Sequence, residues 1–260
     1  MKHHWRIYGE FVKNCFAEAM SYRLHFVLLI VMDLMFYLSV MGTVEFLFLH
    51  LDHIGSGNRN DFMFFMAFML AVQHLHMTFV SENFWNFSYD IRMGQLDYIL
   101  LKPASSLFVV FFRTIRPATL LNGVFPWAYL WFFGQRIGLV WWQWLLLPVL
   151  VLLGLALMTS IEILLSMSMF YTVESMGVNF LRMQLQQVSR WPDLVYQGAA
   201  RYVFGLFIPV LLIGSSPVHF LRDPHQWQGM AQMLGLMGLI WIAIRWLWQR
   251  GLRAYESASS

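Results

Sequence analysis

The feature that most constrains this chain is a series of apolar runs, each long enough to cross a membrane as a helix. About 20 apolar residues in helical form cross the ~30 Å of hydrocarbon in a bilayer, and runs of this length recur along the 260 residues. Charged residues make up only 12% of the chain, against about 25% in soluble domains. The sequence therefore predicts an all-α, polytopic membrane protein that forms a single transmembrane domain over residues 1–260.

Six membrane segments are predicted, preceded by an amphipathic helix. Residues 1–23 place apolar side chains on one helical face, which is typical of a helix that lies in the membrane interface. The membrane segments cover residues 24–49, 62–80, 106–133, 142–167, about 174–214 and 230–248. The third of these contains Arg113, Arg116 and Pro117, so its first third is expected to be kinked or cytoplasmic.

The stretch 172–226 is the least regular part of the sequence. Residues 174–191 are only moderately apolar, and residues 202–214 are too short to cross alone and contain a proline. One of the two must cross, because the last segment ends in a basic tail. We expect a fifth crossing that starts near Glu174, followed by a broken re-entrant element around 202–220.

The positions of the basic residues predict the orientation, because cytoplasmic loops of membrane proteins are enriched in Lys and Arg. With both termini in the cytoplasm, 14 of the 17 basic residues lie on cytoplasmic stretches, and Arg59, Arg136 and Arg222 lie outside. The fifth crossing moves Arg190 and Arg201 to the exterior side. That leaves 12 basic residues on the cytoplasmic side and 5 outside, which favours the same orientation. Since these residues lie scattered at the ends of apolar runs, we expect no nucleic-acid partner.

A polar, amphipathic stretch at 82–104 separates the second and third segments on the predicted cytoplasmic side. Its composition alone favours an ordinary loop, but a short helix with one apolar face is also suited to docking in a groove of a partner. The stretch contains a basic residue, a glycine, Leu-Asp and Lys-Pro in that order. The residues of this pattern are Arg92, Gly94, Leu96, Asp97, Lys102 and Pro103.

This pattern resembles the ABC-2 type membrane subunits of ATP-driven transporters, in the compact six-span branch (type V fold) whose ATPase is a separate protein. The resemblance extends to Pro209 and Pro217 before the last segment, and to the tail Arg-Gly-Leu-Arg-Ala-Tyr-Glu-Ser-Ala-Ser at 250–259. It implies a permease that receives the motion of the ATPase through the 82–104 loop. The residues assigned to this coupling are Phe84, Trp85, Arg92, Gly94, Leu96, Asp97, Lys102 and Pro103.

The resemblance also implies the composition and location of the complex. Two ATPase subunits are expected to bind ATP and Mg²⁺, and a second permease, identical or homologous, completes the path among the membrane lipids. The sequence has no Walker A motif, so this chain itself is expected to bind no cofactor. The expected location is the bacterial inner membrane, and the expected activity is export of an amphiphilic, lipid-like or drug-like compound.

Asp33 and Glu162 lie in the middle of predicted spans, where a carboxylate is costly to bury and marks a candidate functional site. One interpretation places both on a translocation path that favours a cationic cargo. The other makes them structural hydrogen-bonding groups between helices. His74 and His76 are two residues apart and point to different faces of a helix, so they do not form a metal site.

Two other functions remain compatible with the residues. A proton-coupled secondary transporter could use Asp33 and Glu162, and an integral-membrane enzyme acting on lipid could use histidine and acidic residues near the interfaces. The sequence shows no constellation of Ser, His and Asp that indicates a catalytic site, so we expect the chain not to be an enzyme.

Overall fold

A computed structural model of the chain describes residues 2–50, 58–102, 104–172 and 175–255, with only the backbone for residues 2–7. Over these ranges the chain is helical almost throughout and contains no strand. The predicted all-α class is therefore confirmed. Pro103 of the coupling pattern, the predicted start of the fifth crossing at Glu174 and residues 256–259 of the tail lie outside the described residues.

The helices follow one another with short connections. In chain order, the α-helices are α1 (Lys2–Ser21), α2 (Arg23–His50), α3 (Arg59–Phe79), α4 (Ser81–Arg92), α5 (Leu96–Leu100), α6 (Ser106–Phe112), α7 (Pro117–Leu121), α8 (Val124–Arg136), α9 (Trp141–Ser166), α10 (Met176–Ser189), α11 (Ala199–Tyr202), α12 (Leu212–Arg222) and α13 (Trp227–Ala254). Short 3₁₀ turns lie at Met167–Phe170, Asp193–Val195 and Pro224–Gln226, and a π-helical turn lies at Val203–Phe207.

Four helices in the described ranges are long and apolar enough to cross a membrane, and two bent pairs reach the same length. The four single helices are Arg23–His50, Arg59–Phe79, Trp141–Phe170 and Pro224–Ala254. The bent pairs are Ser106–Phe112 with Pro117–Arg136, at 65°, and Ala199–Phe207 with Leu212–Arg222, at 90°. The chain is thus a polytopic membrane protein with four such helices, or up to six if each bent pair is one span.

Helix α3 forms the centre of the bundle. Every residue from Phe62 to His74 is buried, and the helix packs against α2, α8, α9 and α12. By contrast, α2 and α13 bury only 22% of their most apolar stretches. A helix with an exposed apolar face needs lipid or another apolar surface around it, as expected for the periphery of a membrane bundle.

The kink expected in the third segment is present as a break between α6 and α7. Pro117 lacks a backbone N–H and occupies the first turn of α7, where that donor would have no partner in any case. The Asn83 side chain accepts from the Thr114 N–H at 2.8 Å and donates to the Thr114 carbonyl at 2.9 Å. The Arg116 N–H donates to the Thr78 carbonyl at 2.9 Å. These bonds satisfy backbone groups that the break leaves without helical partners.

The predicted segment at 174–214 is divided into several pieces in the structure. Helix α10 has 14 residues, about 21 Å at 1.5 Å per residue, which is shorter than a full apolar span. It nevertheless connects the two ends of the bundle. Ser175, just before it, bonds to Ser88 of α4, and Trp191, just after it, packs on Phe62 near the start of α3.

After α10 the chain enters the bundle and leaves it at the same end. We call this the far end, opposite α4 and α5, and we call residues 193–222 the far-end hairpin. Arg222 closes the hairpin there, since it pairs with Asp61 at 2.8 Å and donates to the Ile137 carbonyl at 2.8 Å. The tip of the far-end hairpin reaches the middle of α9, where Ile213 contacts Gly154. This is the geometry expected of a re-entrant element.

Gly154 allows this close approach. A Cβ at this position would lie 2.8 Å from the Ile213 carbonyl oxygen, and a backbone atom cannot move aside cheaply. We expect Gly154→Ala to lower the free energy of unfolding by about 1–3 kcal/mol, as overpacking does, measured by thermal unfolding in detergent. Gly235→Ala on α13 is the matched control, because nothing lies within 4 Å of its Cβ position. Equal stability of the two variants would contradict the tight contact.

Candidate functional site

The 82–104 stretch forms two short helices, α4 and α5, with a tight turn between them. Gly94 lies in this turn with a φ of 67°, in the left-handed region that favours glycine. The Gln95 N–H donates to the Asp90 carbonyl at 2.9 Å and closes the turn. Gly94 therefore has a conformational reason for its place in the coupling pattern, because a residue with a Cβ would strain the connection between the helices.

One face of these helices is packed into the chain's own core. Phe84 and Leu96 are both 0% exposed, and Phe87 and Ile99 are buried beside them. Both Phe84 and Leu96 were assigned to ATPase coupling from the sequence. In this conformation neither side chain is accessible to a partner.

The opposite face is apolar and exposed. Trp85, Tyr89 and Met93 follow one another at the four-residue spacing of one helical face, and Tyr98 and Leu101 follow on and just after α5, 72% and 82% exposed. We call these five residues the coupling surface. Arg92 and Lys102 are also exposed, whereas Gly94 and Asp97 are half-buried. Of the residues that the sequence assigned to coupling, Trp85 therefore lies on this apolar surface, and Arg92 and Lys102 add exposed positive charge.

Four aromatic rings fix α4 to the rest of the bundle. Phe87 of α4 lies 5.1 Å from Phe111 of α6, 5.5 Å from Phe170 and 6.0 Å from Trp248 of α13, measured between ring centroids. We call these four residues the aromatic junction. Gly251 packs directly against the Phe170 ring. These ring contacts pack α4, α6 and the end of α13 against one another at this end.

Glu162 lies in an enclosed polar cluster that joins three helices. Its carboxylate accepts from Nε2 of His76 on α3 at 2.8 Å and from the amide of Gln186 on α10. Arg182, also on α10, is 1% exposed, interacts electrostatically with Glu162 and lies 3.9 Å from the centre of the Phe84 ring. We call His76, Glu162, Arg182 and Gln186 the polar cluster. Glu162 itself is only 3% exposed.

Asp33 belongs to a separate buried group on the other side of α3. It is 4% exposed and interacts electrostatically with Tyr37 and His74, whose side chains are joined by a hydrogen bond of 3.2 Å. His74 therefore connects α3 to α2, whereas His76 connects α3 to α9. The structure therefore places Asp33 and Glu162 in two separate buried groups, on either side of α3.

The residues described in the structure contain no group of three or more His, Cys, Asp or Glu side chains that could hold a metal ion.

A family model described as ABC-2 family transporter protein matches residues 18–259, nearly the whole chain. The chain belongs to this ABC-2 family. No curated protein and no solved structure matches it.

Membership of the ABC-2 family settles the coarse function. The protein is a multi-pass membrane permease of an ABC transporter, and thus a transport component. The family also implies association with an ABC ATPase. This agrees with the resemblance seen in the 82–104 pattern and in the tail.

Sequence reasoning missed most of the polar cluster of this ABC-2 permease. The sequence assigned His76 no partner on another helix, and it assigned none to Arg182 or Gln186. A signal was present, because a charged residue inside a membrane bundle almost always pairs with another polar group. Arg182 on a moderately apolar stretch therefore indicated a polar neighbour inside the bundle, and Glu162 is one that interacts with it electrostatically.

An ion pair anchors α4 of the permease to the break after α6. Arg113 donates to Oδ2 of Asp90 at 2.7 Å. Burial raises the pKa of the Asp90 carboxyl above its ordinary value, and the positive charges of Arg113 and Lys102 oppose that shift only in part. An ionised Asp90 carboxylate therefore lowers the stability of the folded state, and its ion pair with Arg113 reduces that cost.

We expect Arg113→Gln to lower the free energy of unfolding by about 1–3 kcal/mol at pH 8, because it leaves a buried carboxylate without its partner. Since the folded state then binds a proton more readily than the unfolded state, the loss should shrink as the pH falls toward 5. Thermal unfolding in detergent at both pH values measures this. Arg92→Gln, at an exposed position, is the control and should change little. A loss that grows toward low pH would contradict the assignment.

Proposed function

We propose that this ABC-2 permease is the membrane half of an exporter and that its ATPase docks on the coupling surface. The observation that carries the proposal is the exposed apolar face of α4 and α5, supported from behind by buried aromatic side chains. A face of this kind is costly to leave in water and is typical of a docking site for a groove on another protein.

The rigidity of the support is the second argument. A docking helix transmits a push only if it does not yield against its own protein. The aromatic junction and the Asp90–Arg113 pair hold α4 to α6 and α13, and Arg182 of α10 stacks on Phe84 of α4. A displacement of α4 would therefore be passed on to three membrane helices.

We place two ATPase subunits, carrying ATP and Mg²⁺, below two permeases, identical or homologous, in a bacterial inner membrane. In this arrangement α4, α5 and both termini face the cytoplasm. The exposed apolar faces of α2 and α13 then meet lipid or the second permease. The cargo is an amphiphilic, lipid-like or drug-like compound that passes between the permeases, with hydrolysis on the ATPase and no cofactor on this chain.

Glu162 and Asp33 take a structural part in this proposal. Each carboxylate is enclosed by side chains from neighbouring helices, so we assign both to helix packing and not to selection of a cationic cargo. This also disfavours the proton-coupled alternative, which needs a carboxylate that reaches water from one side or the other.

Purification of the tagged chain in a gentle detergent, followed by mass spectrometry, tests the proposal. We expect an ATP-binding-cassette ATPase in roughly stoichiometric amount, and a second permease if the pair is heterodimeric. Recovery of the chain alone, under conditions where it stays folded, would contradict the proposal and favour the proton-coupled or enzymatic function.

A further inference from the structure

A large cleft at the far end has no part in the coupling proposed above. It has a volume of about 890 Å³ and lies between the far-end hairpin and the first turns of α13. Binding sites for small molecules typically have volumes of about 300–1,000 Å³. The cleft is therefore large enough for the headgroup of a lipid or for a compound of similar size.

The charged side chains of this cleft pair with one another. Arg201 lies 3.2 Å from one carboxylate oxygen of Asp193, and Nε2 of His219 lies 3.6 Å from the other oxygen. The backbone N–H of Asp193 also donates to Oγ of Ser215 at 3.1 Å, which fixes this group to the hairpin. Because Asp193 is balanced by Arg201, whose side chain is 62% exposed, the cleft presents little net charge to select an anionic or a cationic ligand.

The remaining polar lining is uncharged. Primary amides and hydroxyls surround the paired charges, and each of these groups both donates and accepts hydrogen bonds. Gln226 and Gln232 each use an amide N–H within the protein, and the remaining donors and acceptors of this lining match the dual capacity of ligand hydroxyls. The uncharged polar residues that line the cleft include Gln197, Gln226, Gln228, Gln232, Ser215 and Ser216.

An apolar edge adjoins this polar lining. Tyr202 and Leu206 line the cleft and are 72% and 49% exposed, and Phe207 beside them is 78% exposed. These side chains lie on the bent half of the hairpin that enters the bundle. An acyl chain attached to a polar headgroup in the cleft would therefore find an apolar surface directly beside it.

We propose that this cleft binds the uncharged, hydroxyl-rich headgroup of an amphiphile, with its apolar chain along Leu206 and Phe207. The inference rests on the proposed function in one respect, which is that the cargo is an amphiphile. It adds the chemical class of the headgroup and the residues that recognise it.

Native mass spectrometry of the full chain in a polyoxyethylene detergent tests this. Three lipids with the same dioleoyl chains are added at equal concentration, carrying a glucosyl, a phosphate or a trimethylammonium headgroup. We expect the glucosyl lipid to bind at least tenfold more tightly than the other two. Binding that is equal for all three, or tightest for the phosphate lipid, would overturn the proposal.

Two variants and a matched control locate the site. Gln228→Leu should weaken glucosyl lipid binding about fivefold, the effect of one lost hydrogen bond, whereas Gln249→Leu, exposed near the other end of α13, should not. Arg201→Gln should raise binding of the trimethylammonium lipid, because it frees the Asp193 carboxylate. Equal glucosyl binding by both glutamine variants, or no gain for Arg201→Gln, would count against the cleft.

The assay contains neither ATP nor an ATPase. Its failure would therefore leave the exporter proposal intact, and failure to recover an ATPase would leave the lipid result unaffected.

Discussion

Replacement of both Tyr98 and Leu101 by alanine is expected to weaken binding of the ATPase about 10- to 100-fold. The two side chains are 72% and 82% exposed, so their loss leaves no cavity in the permease. Truncation of a single hot-spot side chain, most often Trp, Tyr or Arg, costs about 2 kcal/mol or more, and 1.4 kcal/mol corresponds to a factor of ten, so one hot spot in this pair is enough for the expected range. The measurement is the dissociation constant of the purified ATPase on the detergent-solubilised permease.

Two controls separate docking from folding. Trp141→Ala removes a side chain that is 75% exposed at the far end and should leave ATPase binding unchanged. Leu96→Ala should instead lower the free energy of unfolding by about 2–5 kcal/mol, because it opens a cavity in a packed core. If the Tyr98 and Leu101 double variant bound the ATPase as tightly as the wild type, the coupling surface would have to lie elsewhere.

The second large effect is expected at the polar cluster. Glu162→Leu should lower the free energy of unfolding by about 3–5 kcal/mol, because it removes the negative charge that interacts with the buried Arg182 guanidinium. His76 and Gln186 lose their acceptor at the same time. The change is measured by equilibrium unfolding in detergent micelles.

The double variant Glu162→Leu with Arg182→Met tests the cause of that loss. An apolar pair of similar size should recover most of the stability, since no unpaired charge remains. Glu10→Leu is the matched control. Glu10 forms an exposed ion pair with Lys13 at 2.8 Å, and such pairs contribute about 0–1 kcal/mol. A Glu162→Leu protein that is as stable as the wild type but has an altered preference for charged cargo would contradict this role. It would indicate that Glu162 lines the translocation path.

The sequence predicted the long spans well because their length follows from the thickness of the membrane. The predicted ranges 24–49 and 142–167 differ by only one residue at each end from Arg23–His50 and Trp141–Ser166. The proline and arginines near 113–117 likewise predicted the break after α6. In each case a local property of the chain, either apolar length or a missing N–H, determines the structure.

The faces of the coupling loop could not be predicted in the same way. Phe84 and Trp85 are adjacent and both apolar, yet Phe84 is 0% and Trp85 39% exposed. Periodicity shows that two faces exist, but only the position of α6, α10 and α13 decides which one is buried. The polar cluster raises the same difficulty, because His76, Glu162 and Arg182 come from three helices that are far apart in sequence.

The break after α6 makes the third membrane segment a joint and not a rod. On one side of it, α6 packs with α4 and α5, and on the other side α8 packs along α3 at the centre of the bundle. The two arms meet at 65°. Because Asn83 of α4 and the Thr78 carbonyl of α3 both bond to this break, a displacement of α4 would reach the third segment at its bend, where the two arms meet.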